Sequence, residues 1–148
     1  MLHLPSSACI YRTKKEQIRQ EGGMSIDEIA ADFFALCKAG NFAEAGAKHW
    51  SDAVVSLEPY AEGPHVVCTG RDQVLAKHAW WEENTEVHSF DCEGPFVHGD
   101  QFAIIFEMDC TMAPYGRSTS REVALYTVKD GKVVEERFFF APMPGDAG

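Results

Sequence analysis

Among the 23 acidic residues of this 148-residue chain, Glu136 is set apart by its neighbours. Asp130-Gly131 lies between two runs of β-branched and aromatic residues, a strong hairpin signal, because both central residues of a type I′ turn need positive φ. Counting outward from that turn pairs Val128 with Val133, Leu125 with Glu136 and Val123 with Phe138. One face then carries Val123, Leu125, Thr127, Val134, Glu136, Phe138 and Phe140. It is almost wholly apolar, so it is expected to face inward. An acid on such a face must find a hydrogen-bond partner or stay protonated, and a carboxyl in that position is suited to proton transfer. The competing reading places Glu136 at a rim, or in a pair with Arg121 on the same face. Asp109 is the second candidate. Alternation over residues 102–112 puts Phe102, Ile104, Phe106 and Met108 on one side and Ile105, Glu107 and Asp109 on the other, with large apolar residues on both. A bulge in that strand would turn Asp109 inward; without one it is a structural acid.

Other chemistries find no support in the spacing. The five cysteines, Cys9, Cys37, Cys68, Cys92 and Cys110, are widely spread and never at C-x-x-C spacing. Neither a disulfide framework nor a zinc site follows, and a reducing cytoplasm fits best. The histidines do not fall at i, i+4 on a helix or cluster with cysteines, so no metal site is expected. There is no Gly-rich phosphate loop, no G-x-S-x-G elbow and no Cys-His pair close in sequence. A formal net charge of −10 argues against nucleic acid and anionic membrane surfaces. No apolar run approaches the ~20 residues of a membrane span, and no signal-peptide h-region is evident. A small molecule and a second copy of the chain are the expected partners.

These side chains must be positioned by a single domain, since the length suits one hydrophobic core. Ile26, Ile29, Ala30, Phe33, Phe34, Leu36 and Cys37 recur at helical spacing, with Ser25 as N-cap, Glu28 as its capping-box partner and Gly40 as the stop. Asn41 caps a second short helix through His49. Residues 53–57 read as a strand ending at Glu58-Pro59, residues 60–64 as a loop and residues 65–68 as a short strand. A third helix over residues 71–83 carries Val74, Leu75, His78 and Trp81 on one face. Turns at Gly99-Asp100, Pro114-Tyr115-Gly116 and Asp130-Gly131 separate strands over residues 87–97, 102–112, 118–128 and 132–140. Helices first and an antiparallel meander afterwards predict an α+β domain, with about three helices on one face of a curved, mixed, mainly antiparallel sheet.

The first 23 residues differ from the rest. They hold four of the 13 Lys and Arg but two of the 23 acids, leaving 9 minus 21, or −12, for the remainder. The expected organisation is an N-terminal extension over 1–23, a domain over 24–141 and a disordered tail over 142–148. Met24 is a candidate native start, because Gln20-Glu21-Gly22 can be encoded by purine-rich codons resembling a ribosome-binding site. The other reading is a weakly structured arm with a short helix around Lys14 to Gln20.

From Ser25 to Phe140 the chain resembles the nuclear transport factor 2-like superfamily, and more closely its SnoaL-like and ketosteroid isomerase-like members. The matching pieces are Ala39-Gly40-Asn41 closing the first helix, Trp50-Ser51-Asp52-Ala53-Val54-Val55, Glu58-Pro59, Gly70-Arg71-Asp72-Gln73 and the hairpin Asp130-Gly131-Lys132-Val133-Val134-Glu135. The resemblance implies a cone-shaped α+β barrel, a pocket between helices and sheet, and commonly a homodimer packed through the outer sheet face. In isomerase-like members an acid just before a proline acts as general base, which is the place of Glu58; the other reading of Glu58 is a solvated loop acid. His78 stands where isomerases carry a second pocket tyrosine, so it either protonates or orients a ligand or is simply satisfied beneath the helix. The isomerase oxyanion donors fall at Phe33 and Val123, which cannot donate a hydrogen bond. Steroid isomerisation is therefore not expected. Phe138 near the final-strand acid of limonene epoxide hydrolase argues against that reaction too.

The function expected is that of a small-molecule pocket protein. It would use cofactor-free proton transfer on a small apolar or aromatic substrate, as an isomerase, cyclase or hydrolase. Glu58 or Glu136 would be the base and His78 the acid or orienting donor. Phe33, Phe34, Tyr60, Trp81, Phe106, Met108, Val123, Leu125 and Phe138 would be the walls. The alternative is a non-catalytic ligand-binding or dimerisation module of the same fold.

Overall fold

The computed structural model describes residues 23–60, 62–113 and 115–140. The expectations for the N-terminal extension and for the 142–148 tail fall outside them. Helix α1 is Ile26–Lys38, started by Ser25, whose hydroxyl accepts the Glu28 N–H at 3.3 Å. Its Ile29, Phe33 and Cys37 recur every fourth residue and are buried, each large side chain contributing about 1.5–3 kcal/mol of transfer free energy. Helix α2, Phe42–His49, returns against it, though Asn41 makes no side-chain cap bond. His49 is buried and bonds Asp32 of α1 at 2.6 Å, joining the two helices.

Strands β1, Trp50–Leu57, and β2, Val67–Thr69, flank the loop that follows Glu58-Pro59. Helix α3, Arg71–Asn84, precedes the meander β3, Thr85–His98, β4, Gln101–Met112, β5, Gly116–Lys129, and β6, Lys132–Phe139. The six strands form one sheet in the order β2-β1-β6-β5-β4-β3, with β1 and β6 parallel and the other pairs antiparallel. The sheet is curved but not closed: β2 and β3 remain its two edges, and the helices cover the concave face. Among the described residues no helix is long and apolar enough to cross a membrane.

The Asp130-Gly131 turn has positive φ at both residues, 52° and 75°. The register beyond it differs from the count made from the turn. Val128 faces Val133 as expected, but Thr127 faces Glu135, so Val134 is an extra residue on β6. That bulge puts Tyr126 opposite Glu136 and Ala124 opposite Phe138. The inner face of β5 therefore consists of Glu122, Ala124 and Tyr126, while Val123 and Leu125 turn outward.

Two local devices hold α3 over the sheet. The Gly70 N–H, at a residue with φ of 88°, donates to the Val54 carbonyl at 2.8 Å, and the Arg71 guanidinium donates to the carbonyls of Trp50 and Ala47. Gly46 of α2 leaves room for the Trp50 ring, which a Cβ there would meet at 2.5 Å. Gly46→Ala is expected to destabilise the fold by about 1–3 kcal/mol through overpacking, as read from urea denaturation.

Candidate active site

Helices and sheet enclose a cavity of about 700 Å³. The strand register arranges its inner wall in levels. Deepest are Glu136 on β6, Tyr126 opposite it on β5 and Ser56 opposite it on β1. One inward step outward come Phe138 and Ala124. One step further is Glu122, beside Phe106 of β4. Met108, Cys110 and Met112 of β4 continue toward the mouth, where Trp80 and Tyr115 are exposed. From α3, Lys77 and His78 face this wall, and the Trp50 ring lies against the His78 ring at a centroid distance of 5.1 Å, tilted by 35°.

Polar side chains at the deep end form one connected chain. His78 Nε2 lies 2.9 Å from Glu136 Oε1, and the Ser56 hydroxyl donates to the same oxygen at 2.7 Å. Lys77 Nζ donates to Ser56 Oγ at 2.6 Å, pairs with Glu58 Oε1 at 2.5 Å and sits 4.8 Å above the Phe138 ring. Burial is the largest influence on the Glu136 carboxyl and acts to raise it. His78, Ser56 and Lys77 together outweigh burial and hold the group below its ordinary value. Glu136 is thus ionised at neutral pH and can only accept, so His78 Nε2 must carry the proton of that contact. The lone pair of a neutral His78 is then at Nδ1. Stability drawn from Glu136 ionisation is present above its ordinary titration range and is lost as pH falls through the lowered value.

Glu122 has the opposite character. Burial pushes its carboxyl up to about 7, with repulsion from Glu58 and Glu136 adding to the rise and Lys77 opposing it. The folded protein keeps a proton between the ordinary value of 4.5 and about 7 that the unfolded chain releases, so this group lowers stability as pH rises through that window. Glu122→Gln is expected to stabilise the protein by up to about 3 kcal/mol at pH 8 and to be neutral at pH 4, by urea denaturation at both. Burial also holds the Tyr126 phenol well above its usual range, so it remains a neutral donor. The cavity thiols Cys37 and Cys110 are likewise raised by burial and stay protonated, which makes them poor nucleophiles.

The family model of the SnoaL-like domain matches residues 24–140. The chain belongs to the SnoaL-like family. A Mesorhizobium loti structure, provisionally described as a SnoaL-like polyketide cyclase and also as a carbohydrate phosphatase, is 49% identical. The match covers 78% of this chain and 99% of that one, with a TM-score of 0.75. A cystatin-like fold from Xanthomonas campestris is 21% identical over 82% of this chain and 94% of its own, with a TM-score of 0.66. A provisional isomerase from Bacillus subtilis is 18% identical over 80% and 91%, with a TM-score of 0.62. The last two share the fold alone. No curated protein matches the chain.

In this SnoaL-like chain Glu58, His78, Glu136, Phe33, Tyr60, Trp81, Phe106, Met108 and Phe138 all line the cavity. Asp109 does not reach it: β4 and β5 pair without a bulge, and Asp109 makes a bidentate pair with Arg117 on the outer face, at 3.0 and 2.9 Å. Phe34 packs on the flank of α1 beneath Lys38. Val123 and Leu125 leave the wall because of the Val134 bulge. Arg121 pairs with Glu107 and Glu93 on the outer face rather than with Glu136. The site residues missed in the sequence are Ser56, Lys77, Glu122 and Tyr126. Lys77 was detectable, because Val74, Lys77, His78 and Trp81 follow i, i+3, i+4, i+7 spacing more closely than a face drawn through Leu75.

Proposed function

We propose that this SnoaL-like protein catalyses cofactor-free proton transfer at a carbon next to a carbonyl in an aromatic or polycyclic substrate, leading to isomerisation or ring closure. The observation that carries the reading is the Glu136–His78 pair at the deep end of an aromatic cavity, next to a phenol that burial keeps neutral. Glu136 holds the Nε2–H tautomer, His78 Nδ1 takes the α-proton, and the Tyr126 hydroxyl donates to the carbonyl oxygen as enolate charge develops. Tyr126 thereby supplies from β5 the hydrogen-bond donor that Phe33 cannot provide. Glu58, held by Lys77, serves as structural counter-ion rather than base. The polyketide cyclase description of the 49% identical Mesorhizobium loti protein supports the same class of reaction.

The test is hydrogen–deuterium exchange at the α-carbon of bicyclic aromatic ketones, followed by NMR in deuterated buffer. Acceleration over buffer that disappears in Glu136→Gln is the expected result. No acceleration, or exchange unchanged in both Glu136→Gln and His78→Gln, would sink the proposal and leave ligand binding without chemistry. The expected homodimer belongs to the same reading. Val123 and Phe139, cross-strand neighbours on the outer face, are 37% and 47% exposed and suit a second copy. Sedimentation equilibrium checks this.

A further inference from the structure

Glu122 is a carboxyl of the cavity that the proton-transfer arrangement does not use. Glu58 is held by Lys77, and Glu136 by His78 and Ser56. Glu122 has no hydrogen-bond or ion-pair partner among the described residues, although it is enclosed on the inner wall. The side chain is half-buried and its oxygens are not sealed off from the cavity, so a ligand there can supply the partner that the protein does not. Phe106 stands directly beside it across the strand pair, and Phe140, just past the end of β6, lines the same cavity. Phe140 and Tyr60 in turn pack edge-to-face, with ring centroids 5.4 Å apart. At the mouth, Glu62 and Glu82 line the entrance with Trp80, while the cavity's Lys77 is already bound to two oxygens. A ligand approaching the middle of the cavity therefore meets carboxylates and aromatic side chains, with His65 against Trp80 at the rim and no unpaired lysine or arginine among the described lining residues.

We propose that the cavity selects a ligand with an aromatic body and a cationic nitrogen, an amine or quaternary ammonium, seated against Glu122 and the faces of Phe106, Phe140 and Tyr60. The cation supplies the missing partner of Glu122 and draws on the ring quadrupoles, and the same fields reject carboxylates and phosphates. This deepens the proton-transfer reading by naming a substrate class. Glu122 and Tyr126 lie four residue steps apart on β5, about 13 Å along the strand, so the cationic nitrogen lies well away from the carbonyl at the His78 end.

Binding a cation favours ionised Glu122, so it releases a proton and strengthens as pH rises. The groups facing Glu122 are Glu58 from the end of β1, Lys77 of α3, Cys110 of β4, Tyr126 of β5 and Glu136 of β6. With Glu122 titrating at about 7, affinity is expected to be about tenfold weaker at pH 6 than at pH 8.

Isothermal calorimetry with the apo protein tests this using para-trimethylammonio-benzyl alcohol, its neutral isostere para-tert-butyl-benzyl alcohol and the anion para-sulfo-benzyl alcohol. The cation is expected to bind at least about tenfold tighter than the isostere at pH 8, and the anion not at all. Glu122→Gln is expected to remove the cation's advantage and its pH dependence while leaving the isostere unchanged; His78→Gln keeps both. Should Glu122→Gln fail to fold, the isostere comparison and the pH dependence in the unaltered protein decide alone. Equal binding of cation and isostere, equal weakening of both in Glu122→Gln, or no binding by any probe overturns the proposal. None of these readouts depends on turnover, so loss of α-exchange and loss of cation preference are separate outcomes.

Discussion

His78→Gln is expected to lower the rate of α-proton exchange by about 10²–10⁴-fold, with ligand affinity changed far less. His78 Nε2 lies 2.9 Å from the Glu136 carboxylate. An ionised Glu136 cannot donate, so the imidazole presents its lone pair at Nδ1, and glutamine offers no basic nitrogen in that place. Glu136→Gln should cost a similar factor by a different route, since the amide no longer enforces the Nε2–H tautomer. The two effects are expected to be non-additive, because the residues act as a unit. A double variant no slower than either single variant is the expected result, measured by exchange kinetics. If the double variant lost the product of the two factors, His78 and Glu136 would act independently and the pair would lose its meaning.

Lys77→Met is expected to lower stability by about 3–5 kcal/mol, because it leaves the charges of Glu58 and Glu136 without the ammonium that lies between them. Lys77 and Glu58 are both largely withdrawn from solvent, with side chains 8% and 16% exposed, so water cannot replace the lost partner. Lys77→Met combined with Glu58→Gln removes the stranded charge and should recover much of the loss. A double-mutant cycle by urea denaturation gives the coupling. A cost for Lys77→Met below about 1 kcal/mol would mean that the pair behaves as a surface ion pair.

These two results depend on different parts of the chain being legible to different degrees. The capped, periodic α1 and the Asp130-Gly131 turn are local features, encoded within a few residues by side-chain spacing and φ preference. The sequence alone accordingly determined the helices, the strands of the meander and the family. It also marked Glu136 as the unusual acid of the final strand, because the apolar alternation around it survives any pairing. His78 was readable from its distance to Gly70, and Lys77 from helical spacing, although a lysine on an apolar face does not announce its partners.

Which face of β5 looks inward was decided only by the tertiary structure. One extra residue, Val134, shifts the β5–β6 pairing by a single position, and with a side-chain period of two that shift exchanges Val123 and Leu125 for Glu122, Ala124 and Tyr126. The same displacement supplies the phenol beside Glu136 and the unpaired carboxyl beside Phe106. Closeness between Ser56, Lys77 and Glu136 likewise arises from the parallel β1–β6 pairing and from the anchoring of α3 by Gly70 and Arg71. Such contacts join residues up to 80 positions apart. Their chemistry depends on burial and partner charges, which a linear pattern does not carry and a packed core imposes.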